Sequence, residues 1–339
     1  MEYYDDYDKK YPELILMIIE YFDDSNKQWG GVEEKSVKRF CELYSDKKKH
    51  QYVYNPIIVD RICKKLCDCN IITCIKKDTG LGLENNYICI FRNKEMLLKN
   101  KMQMSYYYNS IVYGFKYIYE CCKKMVMPLV MIKPDGGYTV GTGFKFCGGI
   151  VTARHCIEDV NNLQIKGYTA SELNTAKIYY SENPGVDIAF IDLGREEKLQ
   201  LLCEVGEIMQ DVLVVGYPKI PGFTDFLTAE IATVSSKAIS RVTPTVGAIA
   251  AYGKQYLAKI EAMLITAKIR GGNSGGPVIN SNGNLVGIAC QIPNYEGKIG
   301  DYDDLGYGIA VPIQYLNEII EGKKIIKHVP ENFFRDFEG

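Results

Sequence analysis

Among 339 residues there are three histidines and one tryptophan, so any chemistry that needs an imidazole has few candidates. No uninterrupted apolar run approaches the roughly 18 residues needed to cross a bilayer. The start, Met1-Glu2-Tyr3-Tyr4-Asp5-Asp6, lacks the basic opening and apolar stretch of a secretory signal. A membrane partner and export are therefore not expected, and the chain is placed in the cytoplasm. Net charge is nearly absent as well: 40 Lys and Arg stand against 42 Asp and Glu. No global field draws such a molecule to nucleic acid or anionic lipid. With 47% apolar and 24% charged residues, the composition excludes disordered and collagen-like chains. The length suggests two domains, each with its own core.

Disulfide chemistry is also unexpected, although cysteines are plentiful at twelve. In a reducing compartment they stay thiols and act as small buried apolar side chains. Cys63, Cys67, Cys69 and Cys74 lie close in sequence but lack paired Cys-x-x-Cys spacing. Cys63 and Cys67 share a helix face, Cys69 points elsewhere, and the nearest histidine is His50. No metal and no cofactor are expected.

Charge is divided unevenly. Residues 1–127 hold 21 basic and 18 acidic side chains, a net of +3, and residues 128–339 hold 19 and 24, a net of −5. In the first part, Pro12–Phe22 is apolar on most sides, and Val32–Tyr44 repeats apolar residues at three and four, so both predict helices. A third is expected from Pro56 to near Asn70, with Ile57, Ile58, Ile62 and Leu66 inward and Lys64 and Lys65 outward. Ile71–Ile75 and Tyr87–Phe91 then predict two strands around a polar loop. Three helices followed by a hairpin resemble the winged-helix fold over residues 11–92, with Val59–Leu66 similar to the helix that precedes the wing. That likeness implies either phosphate contact by Arg61, Lys64, Lys65, Lys76 and Lys77, among which Asp60, Asp68 and Asp78 are interleaved, or docking of a regulatory protein. Residues 1–94 are accordingly assigned to a winged-helix-like domain. Met102–Met125, apolar at helical spacing, makes 95–124 a connecting helix.

The most informative string is Gly271-Gly272-Asn273-Ser274-Gly275-Gly276-Pro277. Glycines around a serine open backbone conformations in which successive N–H groups converge beside the hydroxyl, as an oxyanion hole requires. A serine hydroxyl needs a base within hydrogen-bond reach. His50 follows Lys47-Lys48-Lys49 and His328 lies near the tail, whereas His155 ends the apolar run Gly149-Ile150-Val151-Thr152-Ala153-Arg154. His155 is the candidate base. A carboxylate must fix its tautomer. Asp187, heading the run Ile188-Ala189-Phe190-Ile191, is the candidate, and Asp192 at the far end is the rival.

Together these strings resemble the trypsin-like serine proteases of the chymotrypsin fold, in the order His, Asp, Ser, and within them the HtrA/Deg branch. Gly141-Thr142-Gly143-Phe144 is similar to the glycine-rich strand opening those domains. Val214-Val215-Gly216-Tyr217-Pro218 is similar to their strand and turn after the aspartate, and Gly306–Pro312 to the closing strand before a helix at Ile313–Gly322. The resemblance implies two six-stranded antiparallel β-barrels with the site between them over residues 125–322. It assigns His155 as base, Asp187 as orienting acid and Ser274 as nucleophile, with an oxyanion hole from backbone N–H groups of the Gly272-Asn273-Ser274 segment. It also implies a protein or peptide substrate adding as a strand along Ile288–Gln291, and a specificity pocket of Lys268, Ile269, Arg270, Ala289 and Gln291. An inward Lys268 favours an acidic residue there, an inward Ile269 a small apolar one.

Departures matter too. Asn273 stands where secreted relatives carry an aspartate that pairs with a freshly cut amino terminus, so that activation is not expected. Cys147-Gly148 reads as a hairpin turn rather than half of a bridge, and no cysteine precedes Ser274 to pair with Cys290. Residues 323–339 are left as a tail, too short for a PDZ domain. The expected function is an intracellular serine endopeptidase with a regulatory or recruiting amino-terminal domain. The alternatives are a catalytically silent peptide-binding adaptor and a DNA-bound regulator.

Overall fold

A computed structural model describes residues 7–23, 35–46, 51–77, 80–90, 101–158, 160–196, 199–218, 233–235, 238–255, 260–290, 306–322 and 332–337. His50, Asp78, Gln291 and His328 lie outside the described residues. The chain divides into two compact units, Met1–Tyr117 and Ile118–Gly339.

In the first unit, α1 (Tyr7–Lys10), α2 (Leu14–Phe22), α3 (Val37–Leu43), β1 (Ser45–Asp46), β2 (Gln51–Tyr52) and α4 (Pro56–Asp68) precede β3 (Ile72–Lys76), β4 (Asn86–Cys89) and α5 (Lys101–Tyr113). The start of α3 is set by Ser36, whose hydroxyl accepts the Arg39 N–H at 3.2 Å. Asn55 likewise accepts the Ile57 N–H at 3.0 Å, with Pro56 in the first turn of α4. An isolated antiparallel bridge joins Ser36 to Asn86, adding a third partner beside the β3–β4 pair.

Two expectations for α4 are corrected. Ile57 is 64% exposed, because the buried stripe runs through Ile58, Val59, Ile62, Cys63 and Leu66 and leaves the first-turn residue on the opposite side. Asp60 is only 4% exposed and so is not interleaved with the surface cations. Its carboxylate accepts from Asn85 Nδ2 at 3.4 Å and the Tyr87 hydroxyl at 3.3 Å, and pairs with Lys64 Nζ at 2.7 Å. Asp60 thereby ties α4 to the base of the β3–β4 pair.

The connecting helix is broken. Gly114, at φ +68°, ends α5 with its N–H on the Ser110 carbonyl at 2.8 Å, the left-handed closure that glycine accepts without a steric cost. A separate α6 (Phe115–Cys122) follows. Ser105 Oγ and Asn109 Nδ2 both donate to the Pro12 carbonyl, at 2.8 and 2.9 Å. That fastens α5 into the first unit.

The second unit contains β5 (Val126–Ile132), β6 (Tyr138–Phe146), β7 (Gly149–Thr152), α7 (His155–Glu158), β8 (Asn162–Ile165), α8 (Ala170–Leu173), β9 (Lys177–Tyr180) and β10 (Ala189–Asp192). It continues through β11 (Asp211–Gly216), β12 (Thr233–Ser235), β13 (Ala238–Ile239), β14 (Thr243–Gln255), β15 (Ile260–Ile265), β16 (Pro277–Asn280), β17 (Leu285–Ala289), β18 (Gly308–Pro312), α9 (Ile313–Gly322) and β19 (Phe334–Arg335). The later strands close into an antiparallel barrel, β11-β14-β15-β18-β17-β16. It is filled by Val212, Val214, Ile249, Met263, Ile265, Val278 and Val286.

The earlier strands form a half-barrel sheet in the order β19-β8-β5-β6-β7-β10-β9. It is the half-barrel that accompanies the closed barrel in the expected trypsin-like fold, with seven strands where six were expected, and its edge strand β19 comes from the segment left as a tail. β8 pairs not with β9 but with β19, in parallel, Phe334 opposite Leu163. Phe333 and Phe334 enter the core with Leu129, Ile150, Ile165, Ile178 and Ile191. The Leu163 N–H donates to the Phe333 carbonyl at 2.9 Å, and Asp336 accepts the Ala170 N–H at 2.8 Å. Burial of two phenyl rings outweighs the entropy of ordering a short strand.

Phe334→Ala is therefore expected to lose about 3–5 kcal/mol of stability in urea-induced unfolding. The exposed neighbour Arg335→Ala should change it by under about 0.5 kcal/mol. Equal effects would contradict the docked strand.

Candidate active site

The register of β7 against β10 places Ala189 opposite Thr152. Counting outward along both strands brings Asp187 to the level of Arg154, next to His155. The chain reaches that point through a turn in which Asn183 accepts from the Gly185 N–H at 2.9 Å, by its side chain, and from the Val186 N–H at 3.1 Å, by its carbonyl. Asp187 then holds His155 twice. Oδ1 accepts the His155 backbone N–H at 3.0 Å, and Oδ2 lies 2.8 Å from Nδ1. The carboxylate is buried, at 8% exposure, and fixes the proton on Nδ1, leaving Nε2 as the basic nitrogen. Asp192, the rival, sits at the other end of β10 opposite Gly149 and accepts the Gly194 N–H at 2.9 Å.

Burial is the largest influence on the His155 ring and disfavours its charged form. Asp187 and the adjoining Cys156 act the other way and prevail, so the imidazole is held above its ordinary value. Cys290 is fully buried, which pushes its thiol well up, and the Asp187 charge adds to the effect. This cysteine therefore sits within the field of the Asp187 carboxylate.

Ser274 lies on the loop between β15 and β16, in the closed barrel. Gly272 and Gly275 have φ of +101° and +88°. A Cβ on Gly275 would lie 2.2 Å from the Thr142 carbonyl oxygen and 2.6 Å from the Ala153 nitrogen, so only glycine lets the loop approach the strand end that leads to His155. The Thr142 N–H donates to the Ser274 carbonyl at 2.9 Å. Asn273, Gly275 and Gly276 spend their N–H groups on the carbonyls of Arg270, Ala289 and Asn273 at 2.9, 2.7 and 2.9 Å. The Gly272 and Ser274 N–H groups have no acceptor among the described residues, the state needed to receive a negative oxygen. The Asn273 N–H is thereby removed from the expected oxyanion segment.

No hydrogen bond joins Ser274 Oγ to the His155 ring among the described residues. Such contacts often tighten only when substrate closes the site.

The expected pocket residues divide. Lys268 and Arg270 are exposed, whereas Ile269 packs on the barrel core. A Cβ on Gly308 would lie 2.7 Å from Ile269 Cγ1, so the isoleucine lies across β18. Ala289 is fully buried, and Ile288 and Ala289 are paired on both edges, with β18 on one side and Pro277, Gly275 or Gly276 on the other. The expectation of a substrate strand along Ile288 and Ala289 is corrected, since their backbone groups are already used. Gln291 is outside the described residues.

Thr142 and Thr152 were not singled out from sequence. Thr142 Oγ1 donates to the Gly272 carbonyl at 2.6 Å and accepts the Tyr217 N–H at 2.9 Å, and Thr152 Oγ1 donates to the Thr142 carbonyl at 2.7 Å. The available signal was a hydroxyl at a core-facing position of a strand, which must find partners. Among the described residues no group of three or more His, Cys, Asp or Glu side chains could hold a metal ion.

Residues 141–288 match the trypsin-like peptidase domain family. The chain is 30% identical over 191 residues to a protein described as a Do-like mitochondrial protease of Arabidopsis thaliana, covering 54% of this chain and 30% of that one. It is 27% identical over 196 residues to the Do-like serine protease HtrA of Bacillus subtilis, covering 55% and 39%. The chain thus spans about a third of the length of these curated relatives. A protease of M. tuberculosis, solved in its active form, superposes with a TM-score of 0.45 at 19% identity, covering 63% of this chain and 86% of that one.

Replacing Asp187 by Asn removes one of the two groups that raise the His155 ring and leaves its burial and Cys156 in place. The imidazole titration midpoint, followed by NMR, is expected to fall from its raised position. An unmoved midpoint would show that Asp187 does not set it.

Proposed function

We propose that the chain, whose residues 141–288 match the trypsin-like peptidase domain family and are similar to HtrA-type proteases, is a serine endopeptidase acting through a Ser274-His155-Asp187 triad. His155 Nε2 takes the proton of Ser274 Oγ as that oxygen attacks the scissile carbonyl carbon. The π electrons move to the carbonyl oxygen, which is met by the Gly272 and Ser274 N–H groups, each donor worth about 3–4 kcal/mol of barrier. Asp187 stabilises the imidazolium. The proton then passes to the leaving amine, and the acyl-enzyme is hydrolysed by water with the same base. General-base assistance contributes about a hundred- to ten-thousand-fold. Because the base must be neutral, the rate climbs as pH rises through the elevated His155 value.

The observation that carries this reading is the double hold of Asp187 on His155, beside a loop whose Gly272 and Ser274 N–H groups are unspent. A fluorophosphonate should label the wild-type protein covalently, with labelling abolished in Ser274→Ala and at least a hundredfold slower in His155→Ala, by about the general-base contribution. Undiminished labelling of His155→Ala would remove the triad.

Ile269, lying across β18 while Lys268 and Arg270 face outward, supports a small apolar residue at the cleavage position. A peptide library should therefore show alanine or valine preferred there over aspartate or glutamate. Acidic preference would return the pocket to Lys268.

The first unit supports a winged-helix-like module that recruits or regulates through a protein partner. Its helix order, the Ser36–Asn86 bridge beside the β3–β4 pair, and the exposed apolar residues Ile57, Ile75 and Leu81 favour this over duplex binding. A second reading, phosphate contact by Arg61 and Lys65, is weakened by the pairing of Lys64 with Asp60.

A further inference from the structure

Thr142 spends every polar group it has within the neighbourhood of the nucleophile. Its N–H donates to the Ser274 carbonyl at 2.9 Å, and its carbonyl accepts from Thr152 Oγ1 at 2.7 Å. Its hydroxyl accepts the Tyr217 N–H at 2.9 Å and donates to the Gly272 carbonyl at 2.6 Å. The residue has no solvent exposure, so none of these bonds competes with water.

The loop needs such an anchor. Gly272 has no Cβ to confine its dihedrals, and at φ +101° it occupies a region that glycine leaves as readily as it enters. Steric restraint is missing, so direction must come from hydrogen bonds. The Asn273 side chain supplies none through its oxygen, for Oδ1 is buried without a donor among the described residues. The loop is held by the Asn273, Gly275 and Gly276 N–H groups on the Arg270, Ala289 and Asn273 carbonyls, and by two bonds to Thr142, the bonds that tie it to the strand of the other sheet. Those two bonds fall on the carbonyls of Gly272 and Ser274, one on each side of Asn273. They are made by the residue whose own carbonyl is tied to Thr152, three positions before His155.

We propose that Thr142 is a positioning residue, whose hydroxyl keeps the Gly272 and Ser274 N–H groups aimed at the oxyanion and whose backbone couples that loop to the strand end bearing His155. The proposal rests on the serine-protease reading above. It predicts a defect confined to the transition state. Substrate binding draws on the pocket, whereas the misdirected N–H groups matter only when negative charge develops.

The test compares wild type, Thr142→Val and Thr142→Ser in the full chain, with a small-apolar peptide anilide as substrate and a peptide aldehyde as transition-state mimic. Rates are normalised to sites titrated by fluorophosphonate, so a misfolded fraction does not count. Thr142→Val is nearly isosteric and leaves the Gly272 carbonyl and Tyr217 N–H unpaired. It should lower kcat by about tenfold to a hundredfold, a share of what loss of one oxyanion donor costs. KM should stay within about twofold, and aldehyde inhibition should weaken by the same factor as kcat. The midpoint of the rising pH limb should not move, because the His155–Asp187 pair is untouched. Thr142→Ser, which restores the hydroxyl, should return kcat to within about threefold of wild type.

An unchanged kcat in Thr142→Val overturns the proposal, and so does a loss in Thr142→Ser equal to that in Thr142→Val, which would assign the effect to the methyl group. If Thr142→Val does not fold, Thr142→Ala against Thr142→Ser gives the same comparison without the second methyl. A wild-type protein with neither labelling nor turnover would instead overturn the serine-protease reading itself.

Discussion

Everything in the second unit depends on how closely a loop of one sheet can approach a strand end of another. The Ser274 loop belongs to the closed barrel and the strand leading to His155 to the half-barrel sheet, so the proposed chemistry requires the place where the two surfaces meet. That meeting is made of backbone: Gly275 lies where any side chain would strike the Thr142 carbonyl and the Ala153 nitrogen. Polar groups exposed by such a close approach must be paired or be costly. Thr142 and Thr152 pair them. The geometry is held by hydrogen bonds of defined direction rather than by apolar packing, which tolerates sliding.

Within this frame the two halves of the site differ in how they are fixed. The His155 half is held from within: a carboxylate holds both the backbone and the ring of one residue, at the end of a strand paired on both edges. The Ser274 half is a glycine-rich loop whose shape is imposed from outside. Such loops place N–H groups where no regular element could, and their stability is borrowed from the neighbours they touch.

Much of this was legible in the sequence, for identifiable reasons. Ser274 stood out because four glycines around a serine have no use in a packed core. Asp187 and His155 stood out because each interrupts or ends an apolar run, where a charge needs a partner. The Cys147-Gly148 turn was legible too, and both residues adopt positive φ, at 48° and 77°. Other features left no local trace. Whether β8 closes on β9 or on another strand depends on pairing between distant segments, so the open sheet could not be read from either. Ile57 was misplaced because adjacent apolar residues at a helix start fit two faces equally well. Asp60 was misread as a surface charge because a single buried carboxylate is invisible until its partners, Asn85, Tyr87 and Lys64, are seen together.

The docking of β19 on β8 also has a bearing on synthesis. The bond from Asn162 Nδ2 to the Asn332 carbonyl spans 170 positions, so on the ribosome the sheet that carries the histidine has a bare edge and a hollow core long after its own strands have emerged. The barrel that carries the serine has all its strands by Pro312 and can close without waiting. An order of assembly is thereby written into the topology: the barrel that carries Ser274 can close while the sheet that carries His155 still waits for its last strand.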